Sequence, residues 1–256
     1  MTAVVIGSGG IGAEVVRDLR RRGQKVAVGW HRSAAVTTEL SVPGFQVDVT
    51  DLASCRELFA AVARQVGPVT AVVNCFGAVE EAPLLRVESP DVDRLIDLNL
   101  TGVVNVCRAA AFRMMKAGGG SIVTIGSAAS MVGVPGLAVY SATKAALAGF
   151  GRSLAAELAP FRITCNTVLP GFIDCGATAE FSPARKKVLE RHIPLKRLGA
   201  PAEVAALVAY LISPDSRYVT GQQFVIDGGW TLGTAALTHD LNEEVLDEAG
   251  DGARHG

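Results

Sequence analysis

Ala3-Val4-Val5-Ile6-Gly7-Ser8-Gly9-Gly10-Ile11-Gly12 decides the fold. Residues 3–6 are apolar without alternation, as in a strand covered on both faces. The turn that follows is mostly glycine. Residues 11–22 then place apolar side chains at helical intervals with a charged face opposite. Glycines let a backbone approach a phosphate closely. The start of a helix adds unpaired N–H groups and a partial positive charge. Gly7, Ser8, Gly9, Gly10, Ile11 and Gly12 are therefore read as the cradle of a dinucleotide pyrophosphate.

The same alternation continues along the chain. Further strands are expected at residues 25–30, 45–49, 69–73, 122–125, 163–168 and 223–226. Helices are expected at 51–66, 90–117, 139–158 and 201–212, the first capped by Asp51. Strand-helix-strand repetition with short links predicts an α/β fold: a single-domain Rossmann fold with a doubly wound parallel sheet of about seven strands and helices on both faces. The domain is placed at residues 1–233, and 234–256 is read as an acidic, flexible tail. The links at 77–89 and 172–194 are longer than usual. They leave the carboxyl ends of strands, where such folds bind ligands.

Composition narrows the function. The chain has 256 residues, 49% hydrophobic, and a net charge of −1, so nothing marks it for nucleic acid or an acidic membrane surface. No apolar run reaches the ~20 residues of a membrane helix, and no signal-peptide pattern opens the chain. Five scattered cysteines without Cys-x-x-Cys argue for a reduced cytoplasmic setting and against a metal site.

Two stretches specify chemistry. The second strand ends in Trp30-His31-Arg32-Ser33, with no acid until Glu39. An acid at that point would bind a ribose 2′-hydroxyl, whereas His31, Arg32 and Ser33 suit a 2′-phosphate. NADP(H) is expected first and NAD(H) second. Asp48-Val49 closes the third strand beside the adenine position. Tyr140 and Lys144 lie one helical turn apart, and a cationic neighbour lowers a phenol's pKa from ~10. Ser127 follows an apolar strand and is placed to hold a substrate oxygen against that phenol. A Tyr–Lys pair alone is common in helices, so the surroundings carry the reading.

With Asn74-Cys75-Phe76-Gly77, Asn99 in Leu98-Asn99-Leu100-Thr101-Gly102, Pro170-Gly171 and the closing Asp227-Gly228-Gly229, these motifs resemble the short-chain dehydrogenase/reductase family, in order, over residues 2–233. The resemblance implies Tyr140 as catalytic acid/base, Lys144 on the nicotinamide ribose and Ser127 on the substrate carbonyl. It implies Asn99 at a helix kink that anchors a water. Asn74 and Gly77 would lie along the adenosine ribose, and Pro170, Gly171 and Ile173 beside the nicotinamide. It also implies a homotetramer. Two departures stand out: a glycine turn one residue shorter than the family's, preceded by Ile6 in place of threonine, and Cys75-Phe76 in place of the usual Asn-Ala.

The family pattern points to NADPH-dependent reduction of a 3-oxoacyl or polyketide-like ketone, free or carrier-protein-bound. Arg162 and Arg185-Lys186-Lys187 are candidate carrier contacts. The alternatives are a secondary-alcohol dehydrogenase and a silent dinucleotide-binding regulator.

Overall fold

Strand β1 (Thr2–Ile6) shows why the apolar runs do not alternate. Val4 and Ile6 join one buried cluster while Ala3 and Val5 join another, so both faces of the strand are covered. The computed structural model describes residues 1–233, and the tail at 234–256 lies outside the described residues. After β1 come α1 (Gly10–Arg21), β2 (Lys25–Trp30), α2 (Ala35–Glu39), β3 (Gly44–Gln46), α3 (Leu52–Gln65) and β4 (Ala71–Asn74). The second half holds α4 (Ser89–Ile96), α5 (Gly102–Ala117), β5 (Gly120–Ile125), α6 (Ala138–Leu158), β6 (Ile163–Pro170), α7 (Pro183–His192), α8 (Pro201–Leu211) and β7 (Gln223–Ile226).

All seven strands are parallel, in the order β3-β2-β1-β4-β5-β6-β7. On one face α3, α5 and α6 bury Phe59, Val106, Met114 and Leu147. On the other, α1 and α8 bury Val16, Leu19, Val204 and Leu211. Each such side chain contributes roughly 1.5–3 kcal/mol by leaving water. Asp51 caps α3 as expected, accepting from the N–H groups of Ala53 (2.8 Å) and Ser54 (3.1 Å).

Chain order reverses between β1 and β4, which opens a crevice at the carboxyl end of the sheet. Register aligns the crevice's edges: Ile6 pairs with Asn74, Asn74 with Thr124, and Ile125 with Val168. The glycine turn, residues 75–79, Ser127 and residues 170–173 therefore emerge side by side.

The structure corrects several expected spans. Strand β3 stops at Gln46 rather than Val49, because Val47 and Val49 turn into the cleft wall. The segment at 172–194 contains a helix, α7, with no buried residue and hence no apolar periodicity to read. Its start signal was present: Ser182 accepts from Arg185 N–H at 3.2 Å, and Pro183 follows it. The helix predicted at 90–117 is interrupted by a π-turn at Asp97–Thr101. The run Ser89–Lys116 is as long as expected but more apolar than the sequence reading allowed. It has the length and composition of a membrane span, yet Leu95, Val103, Val106 and Met114 are buried in the fold, as in a core helix.

Candidate active site

The glycine turn works by contact. A Cβ on Gly12 would lie 2.1 Å from the Gly7 carbonyl oxygen, so only glycine lets α1 start this close to β1. Gly7 has φ +105°, and a Cβ there would meet the backbone of Cys75 at 2.8 Å. Gly9 is the N-cap of α1 and offers no side-chain cap, so no capping side chain occupies the helix start where a phosphate would sit. Ser8 Oγ donates to the Ser33 carbonyl at 3.0 Å, tying the turn to the end of β2.

Two cavities flank this turn. One of about 590 Å³ is lined by Gly7, His31, Arg32, Asp48, Val49, Phe76 and α4 residues. The other, about 280 Å³, is lined by Ile11, Gly77, Ser127, Tyr140, Lys144, Pro170, Gly171 and Ile173, among others. Uncapped helix, glycine cradle and paired cavities together fit a dinucleotide. Asp48 keeps one carboxylate oxygen for a ligand. The other, Oδ1, accepts from Thr50 N–H (2.9 Å) and Oγ1 (2.7 Å), which holds the group below the usual carboxylate range.

In the smaller cavity Ser127, Tyr140 and Lys144 converge as the sequence suggested. The Ser127 hydroxyl accepts from Ala129 N–H at 3.2 Å, leaving its own proton to donate. Lys144 is buried, donates to the Ile125 carbonyl at 3.2 Å, and sits 5.8 Å from the Tyr140 ring centre. The expected lowering of the phenol pKa is not what this geometry gives. Burial pushes Tyr140 up, opposed only by the Ser127 hydroxyl, and pulls Lys144 down to about 8. A raised phenol keeps its proton at neutral pH, the form a proton donor needs.

Burying Lys144 therefore costs stability. Its ammonium is disfavoured in the fold by about 3 kcal/mol, the equivalent of its shift. The unfolded chain holds this proton more tightly between pH ~8 and ~10.5, so the group's penalty fades as pH rises through that window. In urea unfolding the wild type should gain up to about 3 kcal/mol on Lys144→Met between neutral pH and pH ~10.5. A pH-independent difference would contradict the burial argument.

Asn99, fully buried in the π-turn, braces the site. Its Oδ1 accepts from Ala78 N–H at 2.8 Å. Its Nδ2 donates to the Ala78 carbonyl (2.9 Å) and Thr143 Oγ1 (3.1 Å). Thr143 in turn donates to the Tyr140 carbonyl at 2.7 Å. The widened turn joins the β4 loop to α6. A Cβ on Gly77 would approach both Asn99 Oδ1 (3.0 Å) and Lys144 Nζ (3.1 Å), so glycine keeps that space open.

Asn74 departs from its expected place. Its side chain points into the core, where Nδ2 donates to Thr124 Oγ1 (3.1 Å) and Cys107 Sγ (3.6 Å), and neither cavity is lined by it. It ties β4 to β5 and α5. Phe76, which the sequence marked only as a departure from the family's alanine, is a wall of both cavities.

Residues 5–231 match a family model described as enoyl-(acyl carrier protein) reductase. A solved mutant of a Serratia marcescens short-chain dehydrogenase/reductase superposes with a TM-score of 0.84 at 31% identity, covering 90% of this chain and 97% of the other. The chain belongs to the short-chain dehydrogenase/reductase family. As a member it is an oxidoreductase working between alcohol and ketone with a nicotinamide dinucleotide. It is also 36% identical to the 3-oxoacyl-(acyl-carrier-protein) reductase MabA of Mycobacterium tuberculosis, over 89% of this chain and 91% of that one. A tryptophan mutant of actinorhodin polyketide ketoreductase with NADPH matches at a TM-score of 0.85 and 32% identity, covering 90% and 97%. Family membership gives the convergent Ser127, Tyr140 and Lys144 their meaning as a candidate active centre.

Proposed function

We propose that this protein reduces a ketone on an acyl-thioester or polyketide-like chain with NADPH. The observation that carries the reading is the convergence of the Ser127 hydroxyl, the Tyr140 phenol and the Lys144 ammonium in one small cavity beside the glycine turn. A bound nicotinamide supplies the hydride. Ser127 donates to the ketone oxygen and holds it against Tyr140. As that oxygen becomes an alkoxide, far more basic than a phenolate, Tyr140 gives up its proton. Lys144, buried beside the phenol, holds the nicotinamide ribose. Asn99 keeps α6 and the β4 loop in register while this happens. Secondary-alcohol oxidation uses the same groups in reverse.

The residues proposed to hold the cofactor are Gly7, Ser8, Gly9, Gly10, Ile11 and Gly12 at the pyrophosphate, Asp48 and Val49 at the adenine, and Pro170, Gly171 and Ile173 at the nicotinamide. His31 and Arg32 line the larger cavity, with Ser33 beside them, and support NADP(H) over NAD(H). Glu39, the first acid after β2, is spent on Arg17 at 2.8 Å. Val79 lines the smaller cavity and is exposed, as are Leu84, Leu85 and Met131 on the segments that follow β4 and Ser127, which suits an acyl chain better than a free sugar.

A carrier protein remains part of the proposal, but its contacts are fewer than the sequence suggested. Arg185 is bound to Glu81 through both carboxylate oxygens at 2.8 Å, and Lys186 to Asp174 at 2.7 Å. The proposed homotetramer has support in Phe112 and Met115 on α5, and in Ala142, Ala145, Ala146 and Gly149 on α6, all exposed in the single chain. Five free thiols accord with the proposed cytoplasmic setting.

The test is oxidation of NADPH and NADH over a panel of 3-oxoacyl thioesters, 2-enoyl thioesters and secondary alcohols, with wild type and Arg32→Asp. Wild type should prefer NADPH and the 3-oxo compounds. Arg32→Asp should shift the NADPH-to-NADH ratio of kcat/KM by about 100-fold toward NADH. Turnover of the 2-enoyl compounds alone would replace ketone reduction by alkene reduction.

A further inference from the structure

Among the described residues, Phe76 is the one that lines both cavities. Its backbone abuts the glycine turn, since a Cβ on Gly7 would come within 2.9 Å of its nitrogen. Its ring reaches the opposite way, toward the start of α5. There Gly102 makes room for it: a Cβ at that position would meet Phe76 Cε2 at 3.1 Å and Val49 Cγ2 at 2.8 Å. The ring is only half-buried and packs, as Leu98 does, against the core cluster that holds Ile6, Val47 and Val49. These same four residues line the larger cavity, so Phe76 completes an apolar floor beneath a rim of Arg32, Asp48 and Asp93. Such a floor under a polar rim suits a flat heteroaromatic base with a sugar attached.

We propose that Phe76 is a cofactor-binding residue whose ring packs against the adenosine half of the dinucleotide and divides it from the nicotinamide half. This rests on the reading of the two cavities as one dinucleotide site. The ring offers face and edge contacts that a smaller side chain lacks, and base–aromatic contacts change affinity by about ten- to a hundredfold.

The experiment measures binding to the cofactor-free protein by calorimetry, using ADP for one half and reduced nicotinamide mononucleotide for the other. Phe76→Ala should weaken ADP at least about tenfold and leave the mononucleotide unchanged. Phe76→Leu, which keeps the packing against Val49 and Leu98, should fall between and have an unaltered unfolding midpoint. Unchanged or tighter ADP binding in both variants would overturn the proposal, the tighter result marking the ring as an obstruction. Should Phe76→Ala fail to fold, Phe76→Leu decides alone. A wild type that binds neither ADP nor NADPH would instead remove the dinucleotide reading on which the proposal stands.

Discussion

Tyr140→Phe should fold, bind NADPH as the wild type does, and lose about 10³-fold in kcat. The substitution removes one oxygen from the cavity wall and leaves α6 intact. Thr143 and Asn99 fix the backbone carbonyl of residue 140, not its phenol, so their hydrogen bonds survive. What disappears is the proton donor for the forming alkoxide, a role worth about 10²–10⁴-fold. Solvent can reach the cavity of about 280 Å³ but is not held in place as the phenol is. Turnover and calorimetric NADPH affinity, measured together, separate lost chemistry from lost binding. Undiminished kcat would remove Tyr140 from the mechanism.

Gly12→Ala should be the most damaging single methyl group. By helix propensity alone, alanine inside α1 would be favourable by ~1 kcal/mol. Contact decides otherwise, because the new Cβ would lie 2.1 Å from Gly7 O and 3.2 Å from Cys75 Cβ. Two of these neighbours belong to the glycine turn and the crevice wall, so relief requires α1 to move away from β1. Overpacking of this kind costs about 1–3 kcal/mol. A shift near 1 Å in the cradle costs about 100-fold in function. NADPH affinity should fall by that order, with a lower unfolding midpoint. Gly9→Ala is the control: its backbone is extended and a Cβ there meets nothing within 4 Å, so stability should hold. Equal stability of the two variants would show that the cradle tolerates displacement.

The fold was legible because its central strands are buried on both faces. Residues 3–6 and 122–125 could carry no polar alternation. Legibility failed where burial failed. Helix α7 is held by ion pairs and by Arg185 stacked 3.7 Å from the Phe181 ring centre, contacts that leave no period in the sequence. At the site, Ser127, Tyr140 and Lys144 were singled out by the motifs around them and the family they resemble, but their electrostatics were not legible. The direction of the Tyr140 shift depends on how much water the fold removes, and no four-residue spacing encodes that. Asn74 and Asn99 make the same point. Both are buried asparagines at the crevice; Asn99 braces the candidate active centre and Asn74 locks strands together. Only their partners, Thr143 from α6 and Thr124 from β5, tell them apart.

In the proposed reaction, hydride and proton meet at a ketone held between Ser127 and Tyr140. The most direct measurement gives the enzyme a 3-oxoacyl thioester and NADPH deuterated at the transferable position, then locates the label in the product by mass spectrometry. One deuterium on the carbinol carbon, lost together with turnover in Tyr140→Phe, is the predicted result. Product labelled at another carbon, or carbinol formed without deuterium, would contradict it.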